Sequence, residues 1–495
     1  MSCTTILVGK KASYDGSTII ARNEDSSSTG FCPKKFLFMK PKDQPKKYKS
    51  VLSHVEIDLP ENPLSYTVMP NADPKEGIWG AAGVNAKNVA MTATETLTTN
   101  VRVAGADPFV ELVEQKGKKG DKDYQKEIPG GIGEEDFVTL ILPYISSARE
   151  GVLRMGKLLE KYGTYEMNGV AFQDVNEIWW LETIGGHHWM ARRVPDEVYV
   201  TMPNQLGLDQ FDFDDALGKG KNYLCSPDLL EFVEENHLDL GLAGTFNPRL
   251  AFGSHDDADH VYNTPRSWVI QRALNPRTSR WDGPEADFSP MDDDIPWCQI
   301  PERKITIEEI KDLLSNHFQG TPYDPYKNDK TPFRPIGVNR TSHLAVIQIR
   351  PDLPESYRAL EWVAFGSNVY NALVPFFTNI TKTPEYLAYT PEKATTESFY
   401  WANRMVAALA DPYFHETAAQ VERYQFSLQS KARRLVLEAE EEMKKTQDQE
   451  KIRSLCEKAN QKIADLAKEE TTKYLDEVLN VVSFKMKNAF SRSDH

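Results

Sequence analysis

Residues 3–25 read Cys-Thr-Thr-Ile-Leu-Val-Gly-Lys-Lys-Ala-Ser-Tyr-Asp-Gly-Ser-Thr-Ile-Ile-Ala-Arg-Asn-Glu-Asp. The residues from Cys3 to Lys10 are rich in β-branched side chains and alternate in polarity, as a strand does. Asp15-Gly16 is a strong turn signal, and Ser17 to Ala21 form a second strand. The segment therefore predicts a β-hairpin with Cys3 at the start of its first strand.

A cysteine this close to the chain start has a distinctive chemistry. If the two preceding residues are removed, Cys3 carries both a nucleophilic thiol and an α-amine of pKa about 8, which can take the thiol proton. In a tight hairpin, Arg22 would lie beside Cys3 and lower the thiol pKa, while Asp25 would hold the new ammonium. The plainer alternatives are an inert thiol and a surface ion pair.

The rest of the chain predicts one large mixed domain. Strands are expected at 78–84, 89–95, 169–173, 176–182, 187–193 and 198–202, the last four as one antiparallel sheet, and later at 343–350 and 359–365. A helix is expected from about Glu134 to Tyr162, divided by Pro143, with others near Pro227 to His237, around Ser267 and from Ile305 to His317. Strand residues come from both ends of the chain, which favours one domain over three separate ones.

The C-terminal region is predicted to be helical, because no Gly or Pro follows Tyr424. Apolar residues from Ile452 to Leu466 recur in steps of four and three, as in a helix packed on another helix. The polar stretch from Lys444 to Lys451 is expected to separate two helices. We predict a domain at 1–424 and a helical extension at 425–495, which serves as a packed appendage or as the contact of a homo-oligomer.

Composition excludes several classes of function. Of the 495 residues, 40% are hydrophobic and 26% charged, which is typical of a globular protein. The net charge of −15 disfavours nucleic acid or an anionic membrane as a partner. No apolar run is long enough for a membrane span, and the N-terminus does not match a secretory signal. The five cysteines are scattered, so we expect free thiols and a cytoplasmic location.

A rival site is the segment Ser254-His255-Asp256-Asp257-Ala258-Asp259-His260, whose imidazoles and carboxylates could bind a divalent metal. Its spacing matches no metalloprotease helix, and such polar clusters are usually solvated loops. We expect no metal and no other cofactor.

The N-terminal block resembles that of the dipeptidase A group of lactic acid bacteria, which are cysteine peptidases with an N-terminal nucleophile. The resemblance continues through Gly77 to Asn85, Asn88 to Thr96, Trp179 to Glu182, Trp189 to Asp196 and Tyr262 to Arg266. It implies an α+β fold of the αββα type, in which two antiparallel sheets lie between helical layers.

The resemblance also implies roles for six residues. Cys3 matches the nucleophile, and Arg22 and Asp25 match the R-N-x-D motif of the wider superfamily. Asn85 matches the asparagine that stabilises the oxyanion. Asn204 and Arg266 match further site residues more loosely.

We therefore expect a dipeptidase that acts on dipeptides through a thioester on Cys3. An acylase acting on another amide and a secernin-like binding protein are the alternatives. Removal of Met1 alone would expose Ser2, so Met1 and Ser2 must be removed by the chain itself or by another peptidase. A third possibility, Ser2 as the nucleophile, is disfavoured because a hydroxyl is far less acidic than a thiol.

Overall fold

Residues 3–27, 30–242, 244–328 and 330–488 are described by a computed structural model. Within these ranges the chain has an α+β fold with antiparallel sheets and a helical C-terminal region, as the sequence predicts. The strands are, in chain order, β1 (Thr4–Val8), β2 (Thr18–Asp25), β3 (Leu37–Met39), β4 (Lys47–Lys49), β5 (Glu56–Asp58), β6 (Tyr66–Val68), β7 (Ala82–Val84), β8 (Ala90–Thr96), β9 (Asn168–Gln173), β10 (Ile178–Ile184), β11 (His188–Arg193), β12 (Tyr199–Met202), β13 (Tyr223–Cys225), β14 (Cys298–Gln299), β15 (Thr341–Ile349), β16 (Ala359–Phe365) and β17 (Val374–Phe377).

The first sheet has the order β14-β12-β1-β2-β15-β16-β17, and every neighbouring pair is antiparallel. The predicted N-terminal hairpin is present as β1 and β2, with Thr4 opposite Asn23 and Val8 opposite Ile19. Because β12 and β15 flank this hairpin, both of its strands lie in the interior of the sheet. The chain start is thus tied into the centre of the molecule.

The second sheet has the order β13-β11-β10-β9-β8-β7. The expectation that four consecutive strands share one sheet is wrong for the last of them, because β12 pairs with β1 in the first sheet. Pro195 lies between β11 and β12, and a residue without an N–H cannot continue the ladder. The strand expected at 78–84 is also shorter than predicted, since Trp79 and Ala81 have positive φ angles of 49° and 60°.

The two large sheets contact each other through β2 of the first and β8, β9 and β10 of the second. One apolar core lies between them, with Leu7 and Ile20 from one sheet and Ala171 and Trp180 from the other. Polar bonds also cross this gap, for example from the Gln173 amide to the Thr18 carbonyl at 2.6 Å. A pair of short two-stranded sheets, β3–β6 and β4–β5, lies outside this arrangement.

Helices cover the outer faces of both sheets. In chain order, the α-helices of the described residues are α1 (Val101–Ala106), α2 (Phe137–Ile141), α3 (Ala148–Tyr162), α4 (Phe213–Leu217), α5 (Leu229–Glu235), α6 (Pro248–Phe252), α7 (Asp257–Tyr262), α8 (Thr264–Leu274), α9 (Ile307–Leu314), α10 (Glu385–Ala388), α11 (Phe399–Ala410), α12 (Phe414–Met443) and α13 (Gln449–Ser483). Helix α3 packs on β9, β10 and β11, whereas α11 and α13 pack on β16 and β17. The predicted division at Pro143 is present as a 3₁₀ turn over Leu142–Tyr144 between α2 and α3.

Helices α12 and α13 form the predicted C-terminal hairpin, separated by residues 444–448. Helix α12 already begins at Phe414, so the predicted domain boundary at residue 424 lies within a helix. Leu428, Val436 and Ile463 belong to the same apolar core as the first sheet. No helix in the part of the chain that the structure describes is long and apolar enough to cross a membrane.

We expect Gly151→Ala to destabilise the protein, because α3 approaches β9 closely at this position. A Cβ at residue 151 would lie 2.3 Å from the ring of the buried Phe172. Overpacking of this kind costs about 1–3 kcal/mol, which outweighs the helix propensity that alanine gains. Thermal unfolding followed by circular dichroism measures the change.

Gly105→Ala is the matched control, because Gly105 also lies in a helix and a Cβ there would meet no atom within 4 Å. This variant should be as stable as the wild type or more stable by up to about 1 kcal/mol. Equal melting temperatures for both variants would contradict close packing at Gly151.

Candidate active site

Cys3 directly precedes β1 and lies fully buried at the gap between the two sheets. Burial raises the pKa of its thiol to about 12, because a thiolate is poorly solvated there. The positive charge of Arg22 acts in the opposite direction, whereas Glu95 and Glu134 raise the pKa further. The thiol is therefore protonated at neutral pH and needs a base before it can attack.

Arg22 is the residue that contacts the thiol. Its Nη2 lies 3.0 Å from Cys3 Sγ and 2.6 Å from Glu134 Oε1, while Nη1 donates to the Ala93 carbonyl of β8. The hairpin register explains the first contact, because Arg22 on β2 pairs with Thr5 on β1. Burial opposes its charge, but the negative groups around it dominate and raise the Arg22 pKa above its ordinary value. The guanidinium thus stays charged beside the thiol.

Carboxylates surround this guanidinium. Glu24 Oε2 lies 3.4 Å from Arg22 Nη1, and Glu24 Oε1 lies 2.6 Å from Lys34 Nζ. Glu95 accepts a 2.6 Å hydrogen bond from Thr5 Oγ1, and its carboxylate lies 4.0 Å from Arg22 Nε. Burial raises the pKa of Glu95 to about 8. The thiol is therefore part of a buried network of alternating charges.

Asp25, at the end of β2, is fixed by several partners. Its carboxylate forms an ion pair with Arg334 and accepts a 2.8 Å hydrogen bond from Thr341 Oγ1. The side chain of Asn23 lies between Asp25 and the start of β1: its Nδ2 is 3.5 Å from Asp25, and its Oδ1 accepts the Thr4 N–H at 2.8 Å. Asp25 thus orients the residues next to Cys3 rather than the thiol itself.

Arg266 and Asn204 also lie beside Cys3. Arg266, from α8, donates to the Cys3 carbonyl and to Thr4 Oγ1 at 2.7 Å. Its Nη2 donates to Asn204 Oδ1 at 2.8 Å and to Asn263 Oδ1 at 2.7 Å. Burial and the nearby Arg334 lower the pKa of Arg266 from its usual value. This cluster fixes the backbone of the cysteine.

Asn85, the residue expected to stabilise the oxyanion, does not lie beside the thiol. Both hydrogens of its amide donate to backbone carbonyls, those of Leu142 and Ile145, at 2.8 Å each. The same turn contacts residue Glu355 through Asn88. Glu355 lies between β15 and β16, at the end of the first sheet where β1 finishes rather than where it begins. Asn85 therefore fixes a turn far from the thiol and has no amide hydrogen left to donate.

Two acidic residues near the thiol were not predicted from the sequence. Glu134 belongs to the Gly-Gly-Ile-Gly-Glu-Glu-Asp segment at 130–136, and Glu95 lies near the end of β8, a strand with no other charged residue. Three consecutive acids after glycines, and a carboxylate inside a buried strand, were the signals available. Neither reveals its partner without the fold, since both meet Arg22 across the gap between sheets.

The segment from Ser254 to His260 contributes to this region in another way. Asp259 accepts hydrogen bonds from Ser254 Oγ and from Asn263 Nδ2, each at 2.5 Å, and Asn263 in turn holds Arg266. His255 and His260 both face Asp293, at 3.6 and 3.1 Å. Within the described ranges, no three His, Cys, Asp or Glu residues are grouped as metal ligands.

Comparisons with known proteins identify the family to which the chain belongs. The model of peptidase family C69 matches residues 2–427. A protein of Bifidobacterium longum named dipeptidase is 56% identical over the full length of both chains. A probable dipeptidase A of Streptococcus pyogenes serotype M3 is 50% identical over the full length of both, and dipeptidase A of Lactobacillus helveticus is 44% identical over 97% of this chain and 96% of its own. The predicted resemblance to the dipeptidase A group is confirmed.

We expect Arg22→Gln to slow alkylation of Cys3 by iodoacetamide at least about tenfold, because one pKa unit of lost thiolate stabilisation is a factor of ten. Arg22→Lys keeps the positive charge and should retain most of the reactivity. The rate is measured between pH 6 and about 10 by mass spectrometry of the peptide that contains Cys3.

The control is Arg272→Gln, since Arg272 pairs with Asp282 at the surface. Cys3 in this variant should be alkylated at the same rate as in the wild type. An unchanged rate in Arg22→Gln would refute the electrostatic role of Arg22.

Proposed function

Because the chain belongs to peptidase family C69 and is a peptidase, we propose that it hydrolyses dipeptides with the thiol of Cys3 as its nucleophile. The contact between Arg22 Nη2 and Cys3 Sγ at 3.0 Å supports this proposal most strongly. A buried cysteine of purely structural role needs no cation, and a buried cation is costly unless it serves charged partners. The names of the similar proteins supply the substrate class.

Catalysis begins when Met1 and Ser2 have been removed, so that Cys3 carries the terminal amine. The amine takes the thiol proton as sulfur attacks the scissile carbonyl carbon. The C–N bond then breaks, the proton passes to the leaving amino acid, and a thioester remains. Water attacks this thioester, loses a proton to the amine, and the released thiol recovers that proton.

The structure bears on this mechanism through the residues that hold Cys3. Asn23 accepts the Thr4 N–H, and Arg266 donates to the Cys3 carbonyl, so the cysteine backbone has little freedom. Such preorganisation keeps the amine and thiol in reach of each other.

The fold we assign is the αββα sandwich of N-terminal nucleophile hydrolases. It is supported by the contact between the two antiparallel sheets, by α3 on the outer face of one and by α11 and α13 on the other. An acylase of the same superfamily is the alternative activity. The domain division, the homo-oligomer and the cytoplasmic location stay predictions.

We expect Cys3→Ala to lower kcat/KM for a dipeptide such as Ala-Ala by at least about 10³-fold, as loss of a nucleophile does in other peptidases. Cys456→Ala is the matched control, because Cys456 is also fully buried and burial also raises its thiol pKa to about 12. That variant should keep its activity. Amino-acid release is followed by chromatography.

Full activity of Cys3→Ala would contradict the mechanism. The intact mass of the active wild type provides a second test, since it should lack Met1 and Ser2. An active protein that retains Ser2 would rule out the α-amine as the base, and inhibition by a chelator rather than by a thiol reagent would favour a metal-dependent reaction.

A further inference from the structure

More acidic side chains lie near the Cys3 thiol than activation of that thiol requires. Glu134 and Glu95 flank Arg22, and Glu166 Oε1 accepts the backbone N–H of Glu134 at 2.9 Å. Glu134 and Glu95 raise the pKa of the Cys3 thiol, since negative neighbours disfavour a thiolate. A peptidase that only needed a reactive thiol would gain nothing from them.

The cations of this region are shared among several carboxylates. Lys34 is paired with Glu24, and Arg334 with Asp25. Arg22 is shared between Glu134 and Glu95, and within the described ranges no Lys, Arg or His forms an ion pair with Glu166. Burial raises the pKa of Glu166 to about 7, with a contribution from Glu134. A further positive charge would stabilise the ionised forms of these acids.

Unsatisfied polar atoms provide an independent sign of a missing donor. Glu95 Oε2 is fully buried, and no described residue donates a hydrogen bond to it. Asn168 Oδ1, whose amide nitrogen donates to the Glu166 carbonyl, is also buried without a donor among the described residues. Buried acceptors of this kind are uncommon and point to a ligand or water that supplies the hydrogen.

The loop that carries Glu134 is held in place by contacts of its neighbouring residues. The two acids that follow it serve the fold instead: Glu135 accepts the Val51 N–H at 2.7 Å, and Asp136 accepts the Tyr48 hydroxyl at 2.7 Å. Gly133 packs so closely on Tyr165 that a Cβ would lie 2.2 Å from its ring. The loop is thus fixed on both sides of Glu134, as a preorganised binding group requires.

The distance from the thiol suits the α-ammonium of a dipeptide. A single Arg22 nitrogen contacts both Cys3 Sγ and Glu134 Oε1, at 3.0 and 2.6 Å. In a dipeptide only one carbon atom separates the ammonium nitrogen from the scissile carbonyl carbon, which the thiol must approach to about 3–3.5 Å.

We infer that Glu134, supported by Glu95 and Glu166, binds the free α-ammonium of the substrate and thereby restricts cleavage to the first peptide bond. This inference rests on the proposed function.

The test compares Ala-Ala with propionyl-alanine, which has the same shape without the ammonium. The wild type should prefer Ala-Ala by about 100-fold in kcat/KM, the range of a charge-assisted buried contact. Glu134→Gln should lower kcat/KM for Ala-Ala by about 10- to 100-fold relative to that for propionyl-alanine, because both substrates share any effect of Glu134 on Arg22 and the thiol. Glu361→Gln is the matched control, because Glu361 is also a fully buried carboxylate but bonds to Thr67 instead.

An equal loss with both substrates would overturn the inference and make Glu134 a positioning residue for Arg22. Calorimetry on the Cys3→Ala variant separates this from a failure of the proposed function. Suppose that Cys3→Ala binds Ala-Ala, that adding Glu134→Gln weakens this binding, and that the wild type hydrolyses no dipeptide. This outcome would refute the dipeptidase activity and retain the ammonium site. If Glu134→Gln hydrolyses dipeptides and prefers Ala-Ala over propionyl-alanine as strongly as the wild type does, the dipeptidase activity is retained and the ammonium site is refuted.

Discussion

The buried guanidinium of Arg22 is the interaction around which the site is arranged. The Arg22 side chain extends from β2 of the first sheet, contacts the thiol of Cys3 and donates a hydrogen bond to the Ala93 carbonyl of the second sheet. Its positive charge offsets the cost of burying the carboxylates of Glu24, Glu95 and Glu134, because a buried ion without a partner costs roughly several kcal/mol. The same group therefore joins the sheets, shifts the thiol pKa and holds the acidic neighbours in place.

Under the proposed mechanism, Cys3 is both buried and reactive. Burial alone would leave an inert thiol, and its effect on the pKa exceeds that of Arg22. The α-amine that we propose as the base would overcome this, because proton transfer over so short a distance requires no stable thiolate. The acids that oppose ionisation of the thiol are then compatible with catalysis, and they can act on the substrate.

Local patterns predicted the fold more reliably than the site. The alternation before Asp15-Gly16 and the lack of Gly and Pro after Tyr424 depend on neighbouring residues alone, and both elements formed as expected. The assignment of β12 failed, because which sheet a strand joins depends on a partner distant in sequence. The turn residue Asn85 matched a motif, yet its amide is satisfied by the Leu142 and Ile145 carbonyls. Contacts such as Arg22 with Glu134 require the folded chain.

The position of the hairpin has a consequence for the dynamics of the molecule. Chain termini usually fray first and exchange their amide hydrogens fastest. Here β1 is hydrogen-bonded on both sides, by β2 and β12, so the first strand belongs to the most protected part of the structure. The amides of Thr5 and Leu7 can exchange with solvent only when the sheet itself opens. Opening of this sheet would therefore also separate the Cys3 thiol from Arg22 on β2.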